Sequence, residues 1–141
     1  MDYIVIIFLS MVFLHIVDDF YLQPGILSNM KQKIWWEKNV DENMIHKYKY
    51  DYIVALIIHA LSWSIMIHIP WIVYYMANQY PKQDPKSQYI ILISVIENAI
   101  IHAIIDNEKA NKFTINLIVD QSLHFIQIVI TCIIMYLYFS H

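Results

Sequence analysis

Four long apolar runs, at residues 3–22, 53–77, 89–105 and 113–139, divide the chain, and the polar residues inside them recur at helical spacing. Each run is near or above the roughly 17–25 residues that a membrane-spanning helix needs, and far longer than an ordinary strand. In the fourth run Asn116, Asp120, His124, Gln127 and Thr131 are separated by four, four, three and four residues, and in the third Asn98, His102 and Asp106 repeat the interval. That spacing gathers each set on one helix face. A polar stripe on an apolar helix faces protein interior or a wet cavity rather than lipid. The pattern predicts an all-α integral membrane four-helix bundle, with residues 1–141 forming a single transmembrane domain.

The connections refine this picture. Pro24 and Gly25 end the first helix, because proline cannot continue it and glycine tolerates the turn. The connection 23–50 carries five lysines together with Trp35, Trp36, Tyr48 and Tyr50, a composition suited to the membrane interface. It is expected to form a short surface helix and to take no part in a site. His46 lies there among charges and reads as solvated. A short loop at 80–87, with Pro81 and Pro85, joins the second and third runs, and the still shorter connection 106–112 makes the last two helices antiparallel neighbours. No internal repeat argues for inverted halves. Lys31, Lys33, Lys38, Lys47, Lys49, Lys109 and Lys112 follow the first and third runs, against Lys82 and Lys86 on the other side. The positive-inside tendency therefore puts both termini outside. The amino terminus lacks a cationic leader region and a small-residue cleavage site, so the first helix is expected to be retained.

Composition agrees: 59% of residues are hydrophobic and 15% charged, and the net charge of -3 offers no footprint for nucleic acid. All nine basic residues are lysine. The one cysteine, Cys132, excludes an intramolecular disulfide and a thiolate-rich zinc site. Any metal site must use nitrogen and oxygen ligands.

Those ligands are available. His15 and Asp19, His102 and Asp106, and Asp120 and His124 are pairs four residues apart, and His59 lies about two turns into the second run. In an up-and-down bundle all seven fall at one depth, in the cytoplasmic half. Gln23 can close the pocket from the loop, Asn98 and Gln127 extend it, and Lys109 with Lys112 at its mouth can attract an anionic headgroup. An aspartate near the centre of a span costs about 2.5–3.5 kcal/mol on insertion scales. No lysine lies within a span to offset that, so protonated histidines or a bound divalent cation must. Mixed imidazole and carboxylate ligands suit zinc first, then manganese, iron or nickel, and disfavour calcium and magnesium. The rival explanations are polar packing between helices and a proton or ion relay.

Several polar residues fall outside the set. His68, nine residues after His59, and Glu97, nine before Asp106, lie off the ligand faces. Glu97 needs a partner, by protonation, across to another helix or at a subunit contact. Asp18, beside Asp19, stays open as an alternative ligand. His141 is terminal and uninformative.

The ordered set His15, Asp18, Asp19, Phe20, Leu22 and Gln23, then His59, then His102, Asp106 and Lys109, then Asp120, Gln121 and His124, resembles a family of small bacterial and phage membrane proteins catalogued as domain of unknown function 3307. The resemblance covers nearly the whole chain, though the connection before His59 is longer than that pattern. It implies a four-helix protein of a bacterial or phage-encoded inner membrane, without an activity. A more distant similarity is to membrane-bound metal-dependent hydrolases. The resulting expectation is hydrolysis of a lipid or phosphoester at the cytoplasmic leaflet, with Asp19 as general base. Metal or proton transport or sensing, or a structural membrane subunit, are the alternatives, and a homo-oligomer is compatible with all three.

Overall fold

The computed structural model describes residues 3–23, 25–78 and 85–139. Pro24, Lys82, His141 and most of the expected loop 80–87 lie outside the described residues. Four helices are long and apolar enough to cross a membrane. The first is α1 (Tyr3–Val17), continued by a π-helical turn (Asp18–Leu22). Two short helices follow, α2 (Ile26–Met30) and α3 (Lys33–Asn39), and then the remaining spans α4 (Asp51–Asn78), α5 (Pro85–Ala110) and α6 (Leu117–Phe139). There is no strand among the described residues. Each long helix packs on the next in sequence, and α6 closes back onto α1.

The interior is divided by depth. Away from the connections after α1 and α5 it is dry: Ile7, Met11, Ile67, Trp71, Tyr75, Ile128, Cys132 and Met135 form one buried cluster, with Trp71 stacked on Phe139 at 5.7 Å. The other end is polar. Side chains on the outside of the four spans, such as Ile6, Phe13, Ile58, Ile104 and Ile126, are large, apolar and exposed, as a lipid-facing surface requires.

Three boundaries differ from the sequence expectation by four residues or more, and the first is the start of α5, which begins at Pro85, inside the expected loop, instead of 89. α5 runs to Ala110, where the Asn107 carbonyl takes N–H groups from both Asn111 and Lys112, and Phe113 turns the chain at a φ of 56°. α6 therefore starts at Leu117 instead of 113. Asn116, counted above in a polar stripe, is its cap: Oδ1 accepts the Val119 N–H at 3.0 Å.

The connection 23–50 holds two short helices where one was expected. Gly25, at a φ of 68°, makes the turn that L side chains resist. Trp36 donates to the Met30 carbonyl at 2.7 Å and stacks on Tyr48, folding the segment on itself. Asn111, from the turn after α5, donates to the Lys31 carbonyl at 3.1 Å and accepts the Lys33 N–H at 2.7 Å. Those two bonds fix the backbone on either side of the α2–α3 joint, over the polar end of the bundle.

Candidate metal centre

The end of α1, the first third of α4, the end of α5 and the start of α6 meet at one level, which brings all seven sequence-derived ligands into one neighbourhood. His102, His124 and Asp120 are fully buried, and His15, His59 and Asp106 nearly so.

Five of the seven form two overlapping sets in which ligand atoms lie within 4.8 Å of one another: Asp19, His59 and His102, and His102, Asp106 and His124. His59 Nε2 is 2.9 Å from Asp106 Oδ2, 3.2 Å from His102 Nε2 and 3.8 Å from Asp19 Oδ1. Asp106 Oδ1 is 3.3 Å from His124 Nε2 and 3.9 Å from His102 Nε2. Ligands on a tetrahedral ion with bonds of 2.0–2.1 Å stand about 3.3 Å apart, so this spacing suits a common centre. Asp19 Oδ1 is also buried without a hydrogen-bond partner. The donor set fits a borderline divalent ion.

The orientation of His59 is determined by a chain of donors. Ser62 Oγ donates to Asp18 Oδ1 at 2.7 Å, and Gln23 Nε2 donates to Asp18 Oδ2 at 2.6 Å. Gln23 has then committed its amide N–H, leaving Oε1 to accept from His59 Nδ1, with which it is in contact. His59 consequently carries its proton on Nδ1 and turns the Nε2 lone pair to the centre, the arrangement a ligating imidazole needs. Asp18 thus stands behind Gln23, and Gln23 behind His59, at the loop end of the cluster.

His15 and Asp120 stand at the edge. Trp63 donates its indole N–H to His15 Nδ1 at 2.6 Å, which occupies the lone pair that the ring would offer, and Asp19 Oδ2 lies 3.5 Å away. Asp120 Oδ2 accepts from Lys109 at 2.6 Å and from Gln121 at 3.1 Å, with His124 Nε2 at 3.4 Å from its Oδ1. Lys112 is likewise engaged, donating to Glu108 at 2.5 Å. Neither lysine is a free charge at the mouth.

Asn98 and Gln127 make a separate layer farther in. Gln127 Nε2 donates to Asn98 Oδ1 at 2.8 Å and Thr131 to the same oxygen at 3.0 Å. His68 belongs to this depth, bonded to the Ser64 carbonyl at 2.7 Å and the Ser94 hydroxyl at 2.8 Å, away from the ligand atoms. Ile67 and Ile128 of the apolar cluster lie at this same depth, and Trp71, Tyr75 and Met135 lie beyond it.

Two participants were not legible in the sequence. Trp63 is wholly buried and stacks on His102 with centroids 4.1 Å apart, while His102 stacks on His124 at the same distance. An indole floor thus holds the imidazoles in register, although in the sequence Trp63 is one more apolar residue of a span. The other is Lys31, in the connection expected to take no part in a site. Its Nζ donates to Asp106 Oδ2 at 2.5 Å and approaches His59 Nε2 at 3.1 Å. Two lysines therefore offset the carboxylates: α5 runs past Asp106 and carries Lys109 onto Asp120, and the long connection folds back and places Lys31 on Asp106.

A groove of about 450 Å³ opens from the outside of the bundle between the π-helical turn, α2 and α4. Leu22, Leu27, Met30 and Ile58 wall it, and Gln23 and His59 lie within it. No protein-family model, curated protein or solved structure matches this chain.

Proposed function

We propose that the protein is a membrane-embedded, divalent-metal-dependent hydrolase acting on an ester or phosphoester of a lipid at the cytoplasmic leaflet, with zinc the first choice of metal. The carrying observation is the convergence of Asp19, His59, His102, Asp106 and His124 from four helices, with neighbouring ligand atoms 2.9–3.9 Å apart.

His59, His102, His124 and Asp106 would hold the ion, which supplies a lowered pKa for water and polarisation of the ester. Asp19, with one carboxylate oxygen unpartnered, takes the proton of the attacking water. Gln23 and Asp18 keep His59 in its ligating tautomer. With an ion held there, the Lys31 ammonium, which otherwise donates to Asp106, would be free to bind an anionic headgroup. The groove beside His59 supports a lipid as substrate, because its apolar walls suit an acyl chain while its polar end adjoins the cluster. The membrane bundle and motif order are also compatible with the resemblance to domain of unknown function 3307, which carries no activity of its own.

Metal analysis of purified protein tests this first. About one or two ions per chain are expected, lost on joint His102→Ala and His124→Ala substitution with helicity retained; a metal-free wild-type protein would overturn the proposal. Release of headgroup or fatty acid from vesicle lipids, abolished by chelation, is expected of the loaded protein, and metal flux without hydrolysis would replace the enzyme by a carrier. One observation favours a second reading: Lys31 already neutralises Asp106 at 2.5 Å, as in a purely structural polar core. That reading expects no metal and full stability in chelator.

A further inference from the structure

Glu97 lies midway along α5, at the depth where a charge is most costly in a bilayer, and its side chain is exposed on the outside of the bundle. Among the described residues it has no hydrogen bond or ion pair. It opens into a groove of about 440 Å³ between α5 and α6, separate from the one beside His59. The groove is lined on both sides by exposed isoleucines, including Ile93, Ile101, Ile126 and Ile130. At its floor lies Gln127, 7% exposed, whose Nε2 is spent on Asn98 while Oε1 is buried without a donor. One groove thus holds an unpartnered carboxyl and an unpartnered buried acceptor.

Hydrocarbon supplies no donor for either group, and water does not reach mid-span. Two properties decide what fits there. The lining residues recur along α5 and α6 at intervals of three and four, Ile90, Ser94, Glu97 and Ile101 on the one and Leu123, Gln127, Ile130 and Ile134 on the other, which is the seam that receives another helix. The chain's lysines are confined to residues near span ends and in connections, so a second copy brings no cation to this depth. A neutral carboxyl, however, is its own complement: it donates through its hydroxyl and accepts through its carbonyl, so two such groups satisfy each other across a two-fold axis.

We propose that α5 and α6 form the interface of a homodimer, in which α5 of one copy lies along the groove of the other and the two Glu97 side chains meet at the axis, beside the partner's Gln127. The occupant is a second copy because the Glu97 carboxyl of each copy is then satisfied by that of the other in one operation. The interface leaves the His59 groove, on the opposite side of α4 from this seam, open to lipid.

The test is energy transfer between donor-labelled and acceptor-labelled chains in phosphatidylcholine vesicles, over a range of protein-to-lipid ratios. Wild-type protein is expected to associate as a dimer. Glu97→Leu should weaken the dimer by about tenfold or more, the size of loss expected for interhelical hydrogen bonds in a bilayer. Glu97→Gln should retain most of the association, because an amide also donates and accepts. The exposed position of Glu97 makes all three chains expected to fold alike, checked by helicity and by metal content. A monomeric wild type, or Glu97→Leu associating as wild type, overturns the proposal. Loss of association in Glu97→Gln as well as Glu97→Leu also overturns it, since that result demands a charged carboxylate and hence a cationic partner.

Discussion

Lys31 Nζ sits 2.5 Å from Asp106 Oδ2 and 3.1 Å from His59 Nε2, so the positive charge at the cluster comes from a residue 75 positions away in the chain. An ammonium there competes with a metal for the same carboxylate. Charge-assisted bonds of this kind contribute about 1.5–3 kcal/mol. Lys31→Met should therefore tighten zinc binding by about tenfold or more, measured by competition with a chromophoric chelator. Weaker binding in that variant would mean that the lysine supports the ion instead of opposing it.

Asn111 gives an independent handle on the same lysine. Its side chain holds the backbone at Lys31 and Lys33 without touching any ligand. Asn111→Ala should loosen Lys31 and shift metal affinity in the direction of Lys31→Met by a smaller factor, with the helicity of the spans unchanged.

The donors behind His59 should matter almost as much as the ligands. Removing a group that orients a ligating histidine typically lowers metal affinity about 10–100-fold. Gln23→Leu and Asp18→Asn are each expected in that range by metal titration. Their combination should not be additive, because both act through one chain of bonds.

Lys109 and Asp120 form a pair whose acid is buried and whose base is partly exposed. Solvent at the lysine lowers what the contact contributes. A double-mutant cycle with Lys109→Met and Asp120→Asn should give a coupling of about 1 kcal/mol in unfolding free energy, each single change being worse than the pair. Metal content should fall little in these variants, since Asp120 is outside the two ligand sets.

Trp63 should be the most sensitive apolar position at the polar end. Trp63→Ala removes a wholly buried side chain and the His15 donor together. A loss of about 3–5 kcal/mol is expected for deletion of a buried aromatic, with Trp63→Phe losing less. Reversible unfolding in mixed micelles measures both.

The spans and the cluster were legible because two periodicities coincide: apolar runs of bilayer length, and histidines and aspartates repeating every four residues within them. The parts that were not legible depend on tertiary structure. Spacing alone favours Asp19 over Asp18, since only Asp19 is four residues from His15. The π-helical turn beginning at Asp18 widens the helix there, and both carboxylates point inward: Asp18 is fully buried and Asp19 is 11% exposed at its side chain. Lys31 carried no periodic signal at all, since its position depends on Gly25, Trp36 and Asn111 folding the connection back. Asn116 shows the converse, a residue that fits the stripe by spacing and serves as a cap by geometry.

The apolar layer of Met11, Ile67, Trp71 and Met135 closes the polar end of the bundle on one side. Whatever reaches the histidines, whether proton, ion or ester, meets no polar path onward through that layer. In the proposed hydrolase, products would return to the leaflet that supplied the substrate, with no leak opened across the bilayer.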